Sequence, residues 1–573
     1  MHRWFMLVAA AVPLLLTSFR VPNPHLMWWS THALEKIRPY DSAPAKPARS
    51  VTISAARNEF EPFQIVLRSE AEDLNNVDVE MSDFRGPSGY VIPERNAAIY
   101  FESYIDLQKP SNIDGQAGEW PDALIPKIDR FYGERRNAFP FVLRGGRNQP
   151  IWIEVYVPQS TPAGKYHADA HVKIDGKRQI SIPIELQVWN FGIPSSSSLP
   201  NTFGFNGIAA VRQHYGRYTT DDDILRLTYL YQKASLWNRI SLHGGAMIPP
   251  PLSREGGHVR INWRNYDLEV GPFLDGTAIR DNEPLYGAKS TTVDLRTSGD
   301  ATTDDLKILY WREFARHFRE KKWFDRLFNY VWDEPGPDDF DKVKRKAQLV
   351  RSADPAIRNL VTSPLRGDWR NVIDIWSPVI NCFELRPGFS PFCNPMAERS
   401  EYGDLESGKA VWWYQSCASH GCYVVGGKYF SGWPNYMIDV YPVANRIMQW
   451  VTWKMDVQGE LYFNMTEAYG KSGRPWEDVN RFGGNGDGTL FYPGRPDHIG
   501  GRSQIPVESI RLKLIREGLE DYEYLHLLDA AGASSFAREI VDEIVHKTYD
   551  FEHDPEKLYA ARRRMAEKLS GEK

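Results

Sequence analysis

The 573-residue sequence predicts a multidomain protein in which an N-terminal antiparallel β-sandwich precedes a (β/α)8 barrel with C-terminal helices. Two patterns carry this prediction. Residues 25–198 contain short stretches of alternating polarity separated by Gly, Pro and Asn, which is typical of a sandwich. From about residue 200, strand-like and helix-like stretches alternate along the chain, which favours a parallel α/β core and most simply a barrel.

The predicted domain boundary follows from a polar linker. Residues 194–200 read Pro-Ser-Ser-Ser-Ser-Leu-Pro, a composition that ends domains. We therefore assign residues 25–198 to the sandwich, 199–530 to the barrel and 531–573 to a C-terminal helical extension.

The first 24 residues read as a targeting segment. Arg3 precedes an almost wholly apolar stretch from Phe5 to Phe19, which is shorter than a membrane-spanning helix requires. This pattern predicts a secretory signal peptide, with an uncleaved N-terminal membrane anchor as the alternative. The protein is accordingly expected to be exported, to the periplasm, the cell surface or the medium.

Four cysteines agree with export. They are Cys382, Cys393, Cys417 and Cys422, and the simplest pairing is two short-range disulfides, Cys382–Cys393 and Cys417–Cys422. Free thiols remain an alternative. A zinc site of four thiolates is the other, although the sequence holds no CxxC pair.

The predicted barrel elements follow one another in order. Strands are predicted at Thr202–Asn206, Arg239–Ala246, within 280–296, at Leu327–Trp332, at Asn359–Thr362, within 372–380, and at Ala410–Tyr414 and Gly459–Asn464. Helices are predicted at Asp221–Trp237, Asp304–Lys322, Phe340–Ala353, Tyr441–Lys454, Val507–Asp529, Ser535–Thr548 and Pro555–Leu569.

One motif contains the two candidate catalytic residues. The apolar stretch from Leu327 to Trp332 runs directly into Asp333 and Glu334, and Pro335 then prevents a central strand from continuing. In a barrel, this position is the C-terminal mouth, where active sites lie. The sequence predicts two catalytic carboxylates; the alternative is that Asp333 caps the helix that follows.

The adjacency of the two carboxylates indicates a particular reaction. Conventional glycosidases hold two carboxyl groups at set separations, usually on different strands. Adjacent residues project differently, so one can reach the leaving oxygen while the other reaches a neighbouring group on the same sugar. This arrangement suits cleavage assisted by a 2-acetamido group.

The chain resembles glycoside hydrolase family 123. Tyr330-Val-Trp-Asp-Glu-Pro335 is similar to the family's catalytic segment, and Arg57–Glu61 with Gln64–Leu67 is similar to its N-terminal sandwich. The C-terminal signature is matched by Gly486–Gly488, Tyr492–Gly494, Ser509–Arg511 and Arg516–Tyr524. The resemblance implies a retaining enzyme acting on β-linked N-acetylgalactosamine through an oxazolinium intermediate. Asp333 would hold the acetamido nitrogen, and Glu334 would be the acid/base.

Five further residues are candidate substrate contacts because they end strands at the predicted mouth. They are Tyr414, Trp412, His243, Tyr462 and Asn464. Strand alternation sends Trp412 and Tyr414 to one face and Trp413 to the other, and Tyr414 is favoured as a donor to the acetamido carbonyl. A structural role is the alternative for each, as core packing for the aromatic residues and as a residue with satisfied hydrogen bonds for His243. The mixed-charge run Arg516–Glu523 is interpreted as a solvated helix face, and Asp487 as part of a turn.

Composition limits the remaining functions. A net charge of −5 provides no basic field for nucleic acid, and no phosphate-binding glycine loop, HExxH or GxSxG motif occurs. No cofactor or metal is expected, and a glycan is the expected partner, in keeping with 13% aromatic residues. The alternatives are a glycosidase acting on a different glycan without acetamido participation, and a non-catalytic carbohydrate-binding surface protein.

Overall fold

The N-terminal domain is built from strands. The computed structural model describes residues 26–216, 220–244, 249–255, 258–388, 393, 397–403, 405, 407–421 and 428–571. Its first twelve strands are β1 (Leu26–His32), β2 (Val51–Arg57), β3 (Glu59–Ser69), β4 (Leu74–Met81), β5 (Phe84–Arg85), β6 (Val91–Ile92), β7 (Ala97–Leu107), β8 (Gly118–Pro126), β9 (Phe141–Leu143), β10 (Asn148–Val157), β11 (Gly164–Ile174) and β12 (Lys177–Gly192).

The middle of the chain alternates strands with helices. Its strands are β13 (Asn201–Gly204), β14 (Leu242–His243), β15 (Leu252–Glu255), β16 (His258–Ile261), β17 (Val293–Asp294), β18 (Leu327–Trp332), β19 (Arg358–Val361), β20 (Ile375–Trp376), β21 (Ala410–Val411), β22 (Trp413–Tyr414) and β23 (Glu460–Tyr462). Its helices are α1 (Gly207–Tyr215), α2 (Asp221–Trp237), α3 (Arg264–Asp275), α4 (Asp304–Glu320), α5 (Phe340–Ala353), α6 (Cys417–His420), α7 (Val443–Arg446), α8 (Met448–Lys454) and α9 (Glu467–Lys471).

The C-terminal part returns to the first domain before ending in helices. Its strands are β24 (Asn480–Arg481), β25 (Gly484–Asn485), β26 (Phe491–Gly494), β27 (Ile505–Ser509), β28 (Val545–Lys547) and β29 (Asp550–Phe551). Its helices are α10 (Pro496–Ile499), α11 (Ile510–Ala530), α12 (Ser534–Ile544) and α13 (Pro555–Ser570).

Two sheets form the N-terminal domain. One has the order β1-β3-β10-β7-β8-β27-β26, and the other runs β2-β12-β11-β4-β9, with β5 and β6 attached. The pairing differs from the antiparallel prediction at one place, because β2 runs parallel to β12. The first sheet also contains β26 and β27, which come long after residue 198 in the chain. Strands from both sides of the predicted boundary therefore form one sheet. Residues 505–509 are strand rather than the start of the helix predicted at Val507.

The strands of the middle region are short, and all pair in parallel except β15 and β16, which form an antiparallel pair of their own. One sheet has the order β14-β13-β23-β22, and the other has the order β17-β18-β19-β20-β21. Trp412 alone separates β21 from β22, so the two sheets meet along one stretch of chain. The predicted helix Asp221–Trp237 and strand Leu327–Trp332 are found with those bounds, and the strand predicted within 280–296 is β17.

Helix α11 joins the domains through buried charges. Arg516, Glu517, Glu520 and Asp521 are all 0% exposed, so the predicted solvated face is wrong. Each charge has a partner on another element: Arg516 donates to Glu154 at 2.8 Å, Arg239 to Glu520 at 3.0 Å, and Arg446 to Asp521 at 2.7 Å. The Arg446 guanidinium also lies 3.5 Å from the Glu517 carboxylate. Buried ion pairs of this kind are costly to break, because removing one partner leaves an uncompensated charge.

One predicted disulfide is present. Cys382 and Cys393 are bonded, with their Cα atoms 5.0 Å apart. Cys422, and with it the second predicted pair, lies outside the described residues, as does the predicted N-terminal signal or anchor. Within the described part of the chain, none of the helices combines the length and apolarity needed to cross a membrane.

Candidate active site

The two candidate carboxylates follow a buried strand. Strand β18 places hydrophobic residues in the core, and Asp333 and Glu334 come directly after it at exposed positions. Glu334 has a φ of 40°, in the left-handed region that non-glycine residues seldom occupy. Such strain is characteristic of functional sites, and here it turns the chain between the two carboxylates.

Asp333 is held by two hydroxyl groups. The Tyr330 hydroxyl donates to Asp333 Oδ1 at 2.8 Å, and the Thr362 hydroxyl donates to the same oxygen at 3.0 Å. Among the described residues, none donates a hydrogen bond to Oδ2. The carboxylate is therefore fixed in orientation, while its second oxygen is left to accept a hydrogen bond from a ligand.

Thr362 connects the two carboxylate residues. It follows β19, is 3% exposed, and its Oγ1 accepts a hydrogen bond from the backbone N–H of Glu334 at 2.8 Å. The same hydroxyl donates to Asp333, so one buried side chain sets the position of both neighbours. Thr362 was not among the predicted site residues, although it ends the strand predicted at Asn359–Thr362.

Glu334 is bonded to a tyrosine from a different strand. The Tyr414 hydroxyl, at the end of β22, donates a hydrogen bond to Glu334 Oε1. Although the Glu334 residue is exposed overall, the protein around its carboxyl group removes part of that group's hydration and so raises its pKa. The Tyr414 hydrogen bond partly offsets this increase, and the nearby Asp333 adds to it. A carboxyl group with a raised pKa suits a general acid.

A cavity of about 720 Å³ lies beside the pair. Its lining includes Asp333 but neither Glu334 nor Tyr414, which bond to each other next to it. Polar lining residues are Asn206, His243, Asp294, Arg296, Tyr330, Asp333, Lys346 and Asn464. His243, Asn464 and Asp333 were predicted from the sequence as site residues, whereas the others in this set, apart from Tyr330 in the catalytic motif, were not. Of those not predicted, Asn206, Asp294 and Arg296 lie at or just after a strand end, and Lys346 lies on α5.

His243 and Asn464 are the two predicted contacts that reach the cavity. His243 Nδ1 lies 3.2 Å from the Thr202 hydroxyl, and burial lowers its pKa, which favours the neutral ring. Asn464 donates to Glu467 at 2.7 Å and accepts from the Thr466 N–H at 3.0 Å. Both side chains are therefore held in place before any ligand binds.

Trp412 and Tyr462 are not brought to the cavity. Trp412 shares a face with Tyr414 as predicted, but it is 3% exposed and packs against Phe328 with ring centroids 6.1 Å apart. Tyr462 is 0% exposed, and its hydroxyl accepts from the Gly488 N–H at 2.7 Å. Trp412 packs in the core, and Tyr462 binds the turn at Asp487. Neither side chain lies where the sequence predicted, in contact with a substrate in the cavity.

The chain belongs to glycoside hydrolase family 123. The model of the glycoside hydrolase 123 catalytic domain matches residues 286–528, and the model of the family's N-terminal domain matches residues 35–174. Together they span about two thirds of the chain, including the Asp333–Glu334 segment. The protein is thus a glycoside hydrolase by family. No curated protein matches it by sequence.

One solved structure is similar to this chain over almost its whole length. A family 123 glycoside hydrolase from Clostridium perfringens, studied for glycolipid glycan hydrolysis, is 14% identical with a TM-score of 0.66, and the match covers 95% of this chain and 97% of that one. A Bacteroides ovatus family 5 xyloglucanase is 11% identical with a TM-score of 0.28, covering 82% and 98%, which is too low to carry an argument. The first similarity establishes the fold alone.

Proposed function

We propose that this protein is a retaining glycosidase that cleaves a β-linked N-acetylhexosamine, such as N-acetylgalactosamine, with help from the substrate's own 2-acetamido group. The observation that carries the proposal is the unequal environment of the two adjacent carboxyl groups. Asp333 is oriented by two hydroxyls with one oxygen left open. Glu334 has a raised pKa and a tyrosine partner.

The first step follows from these environments. Asp333 Oδ2 accepts a hydrogen bond from the acetamido N–H, which increases the negative charge on the carbonyl oxygen as that oxygen attacks the anomeric carbon. Glu334, in its protonated form, gives its proton to the departing glycosidic oxygen. The product of this step is a cyclic oxazolinium ion and a free leaving group.

The second step reverses the roles. Glu334, now a carboxylate, takes a proton from water as that water attacks the anomeric carbon and the acetamido carbonyl is released. Two displacements at the same carbon restore the β configuration. Asp333 stabilises the positive charge that builds up on the acetamido group.

The architecture that supports this chemistry is proposed to be a (β/α)8 barrel. If β21 and β22 are taken as one strand, the parallel pairings run in the order that a closed barrel requires. In the described part of the chain no ladder joins β14 to β17, but the Gly244 N–H donates to Asp294 Oδ1 at 3.0 Å between their ends. Asp333, Glu334 and Tyr414 would then lie at the C-terminal mouth.

Export is proposed on separate grounds. The Cys382–Cys393 disulfide fits an oxidising compartment, as does the basic and apolar start of the sequence. The N-terminal segment would act as a signal peptide or as an anchor holding the enzyme at the membrane.

A panel of chromogenic substrates tests the proposed activity. Aryl β-N-acetylgalactosaminide, β-N-acetylglucosaminide and β-galactoside differ only at the 2-substituent or at C4. We expect hydrolysis of at least one acetamido sugar and little of the β-galactoside. Preference for the β-galactoside would instead support a glycosidase without acetamido participation.

Replacing Thr362 with valine is expected to lower kcat/KM by about 10–100-fold, because the change removes a hydrogen bond to each of two catalytic positions. Valine keeps the branched shape, whereas Thr362→Ser keeps the hydroxyl and should retain most activity. Steady-state kinetics with a circular dichroism control measure this. If valine and serine variants lose activity equally, the hydroxyl is not the positioning group.

Replacing Tyr414 with phenylalanine is expected to move the alkaline limb of the pH–kcat/KM profile to higher pH. The Tyr414 hydrogen bond favours the Glu334 carboxylate and so lowers its pKa; its loss raises the pKa. The protonated acid then persists to higher pH. A limb that shifts to lower pH, or stays in place, would show that Tyr414 does not tune Glu334.

A further inference from the structure

A second cavity lies in the sandwich domain and shares no lining residue with the first. Its volume is about 600 Å³, within the range of small-molecule sites. It opens between β1 and β2, which are end strands of their sheets, and helix α13 lies across it. Residues 51–54 of β2 all line it, and since strand side chains alternate, such a run indicates that the strand edge faces the cavity.

Two buried polar groups in this cavity have unused hydrogen-bonding capacity. Glu61 is 3% exposed, and among the described residues its carboxylate receives one hydrogen bond, from Arg562 to Oε2 at 3.0 Å. Oε1 remains available as an acceptor. The Tyr559 hydroxyl is buried and has no hydrogen-bond partner in the described part of the chain. Buried polar atoms without partners are unusual in folded proteins and call for a ligand or water.

His32 adds a donor on the same wall. Its Nδ1 accepts a hydrogen bond from the Leu34 N–H at 3.1 Å, so the neutral ring carries its proton on Nε2. The nearest carboxylate oxygen, from the exposed Glu556, is 3.8 Å from Nε2, too far for a hydrogen bond. The ring lies 5.3 Å from that of Tyr559, which gives the wall an aromatic surface.

We propose that this cavity is a second binding site, for a neutral carbohydrate. A sugar presents closely spaced hydroxyls that donate and accept, which matches an acceptor at Glu61, a donor at His32 and a hydroxyl at Tyr559. Its C–H faces suit the aromatic wall. The lining offers no excess of one charge to hold an ionic ligand, because Glu61 is paired with Arg562 and Glu35 lines the cavity together with Arg563. The site does not depend on the proposed hydrolytic mechanism.

Saturation-transfer NMR with the full chain tests which class of ligand the second cavity binds. The probes are galactose, galacturonate and galactosamine, which share a ring configuration and differ in charge, and a hexapeptide of alternating Thr and Val. We expect saturation of galactose above both charged sugars. Preference for a charged sugar, or binding of the peptide without galactose, would overturn the proposal; the peptide result would indicate strand addition at β2 instead.

Two variants test whether galactose binds in this second cavity. Tyr559→Phe removes only the unpartnered hydroxyl, so folding should be unaffected while galactose affinity falls about fivefold or more. Tyr286→Phe, at an exposed tyrosine elsewhere, is the matched control. Thr52→Arg fills the cavity from an exposed position and should abolish the signal.

The catalytic cavity is the competing location for galactose. If Tyr559→Phe and Thr52→Arg both bind galactose like wild type, the sugar occupies the other cavity and the proposal is wrong. Neither change should alter hydrolysis of an aryl glycoside. Failure of the proposed function would be seen separately, as absence of hydrolysis by wild type.

Discussion

The Glu334→Gln variant is expected to lose about 10²–10⁴-fold in kcat/KM on a substrate whose leaving group is a sugar. A sugar alkoxide departs poorly without a proton, and glutamine cannot supply one. On an aryl glycoside with a strongly acidic phenol as leaving group, the loss in the first step should be much smaller, because that group departs without help.

The comparison of the two leaving groups is the measurement. Glu320→Gln, at an exposed glutamate on α4, is the matched control and should behave as wild type. Equal losses by Glu334→Gln on both substrates would mean that Glu334 does not protonate the leaving group. Full activity on both would remove it from the mechanism.

The Asp333→Asn variant should fail in a different way. We expect a loss of about 10²–10³-fold in kcat/KM on both the sugar and the aryl leaving group. Asp333 stabilises charge on the acetamido group, and that charge develops whichever group departs. Its Oδ1 already accepts from Tyr330 and Thr362, so an asparagine that keeps these two bonds would place its NH2 group, a donor, where the acetamido N–H needs an acceptor.

The control for Asp333 is its exposed neighbour Asp338, changed to asparagine. Asp338→Asn should hydrolyse both substrates normally. If the Asp333→Asn loss were confined to the poor leaving group, Asp333 would be the acid and the proposed roles would be exchanged. A binding measurement with a thiazoline analogue of the intermediate should show weaker binding by Asp333→Asn.

Local sequence patterns predicted the element that carries the site. Strand β18 is found at Leu327–Trp332 because a short apolar run ending in Asp, Glu and Pro can form a buried strand but not continue it. Helix α2 begins where Thr220 accepts a hydrogen bond from the Asp223 N–H, a capping pattern visible in the sequence. These features depend on neighbours along the chain.

Long-range packing set the features that the sequence did not reveal. Alternation placed Trp412 and Tyr414 on one face, but only the structure shows that Trp412 lies in the core while Tyr414 reaches Glu334. Thr362 acts on Asp333 across a strand pairing. Glu508 pairs with Leu124 in β8, which makes residues 505–509 a strand before α11 begins.

The burial of the α11 charges also depends on long-range packing that the sequence does not reveal. Read alone, Arg516–Glu523 alternates in sign like an exposed helix face. In the fold, Glu154 of the sandwich and Arg239 beyond α2 provide the opposite charges. A single sequence does not display such partners, because they are hundreds of residues away.

Acetamido participation is the central claim, and one substrate series tests it most directly. Aryl N-acetylhexosaminides whose acetyl group carries zero, one, two or three fluorines present a carbonyl oxygen of steadily decreasing nucleophilicity. If that oxygen attacks the anomeric carbon, kcat/KM of the wild-type enzyme must fall steeply with each fluorine. A rate that does not change across the series would contradict the account and assign the nucleophile to the protein or to water.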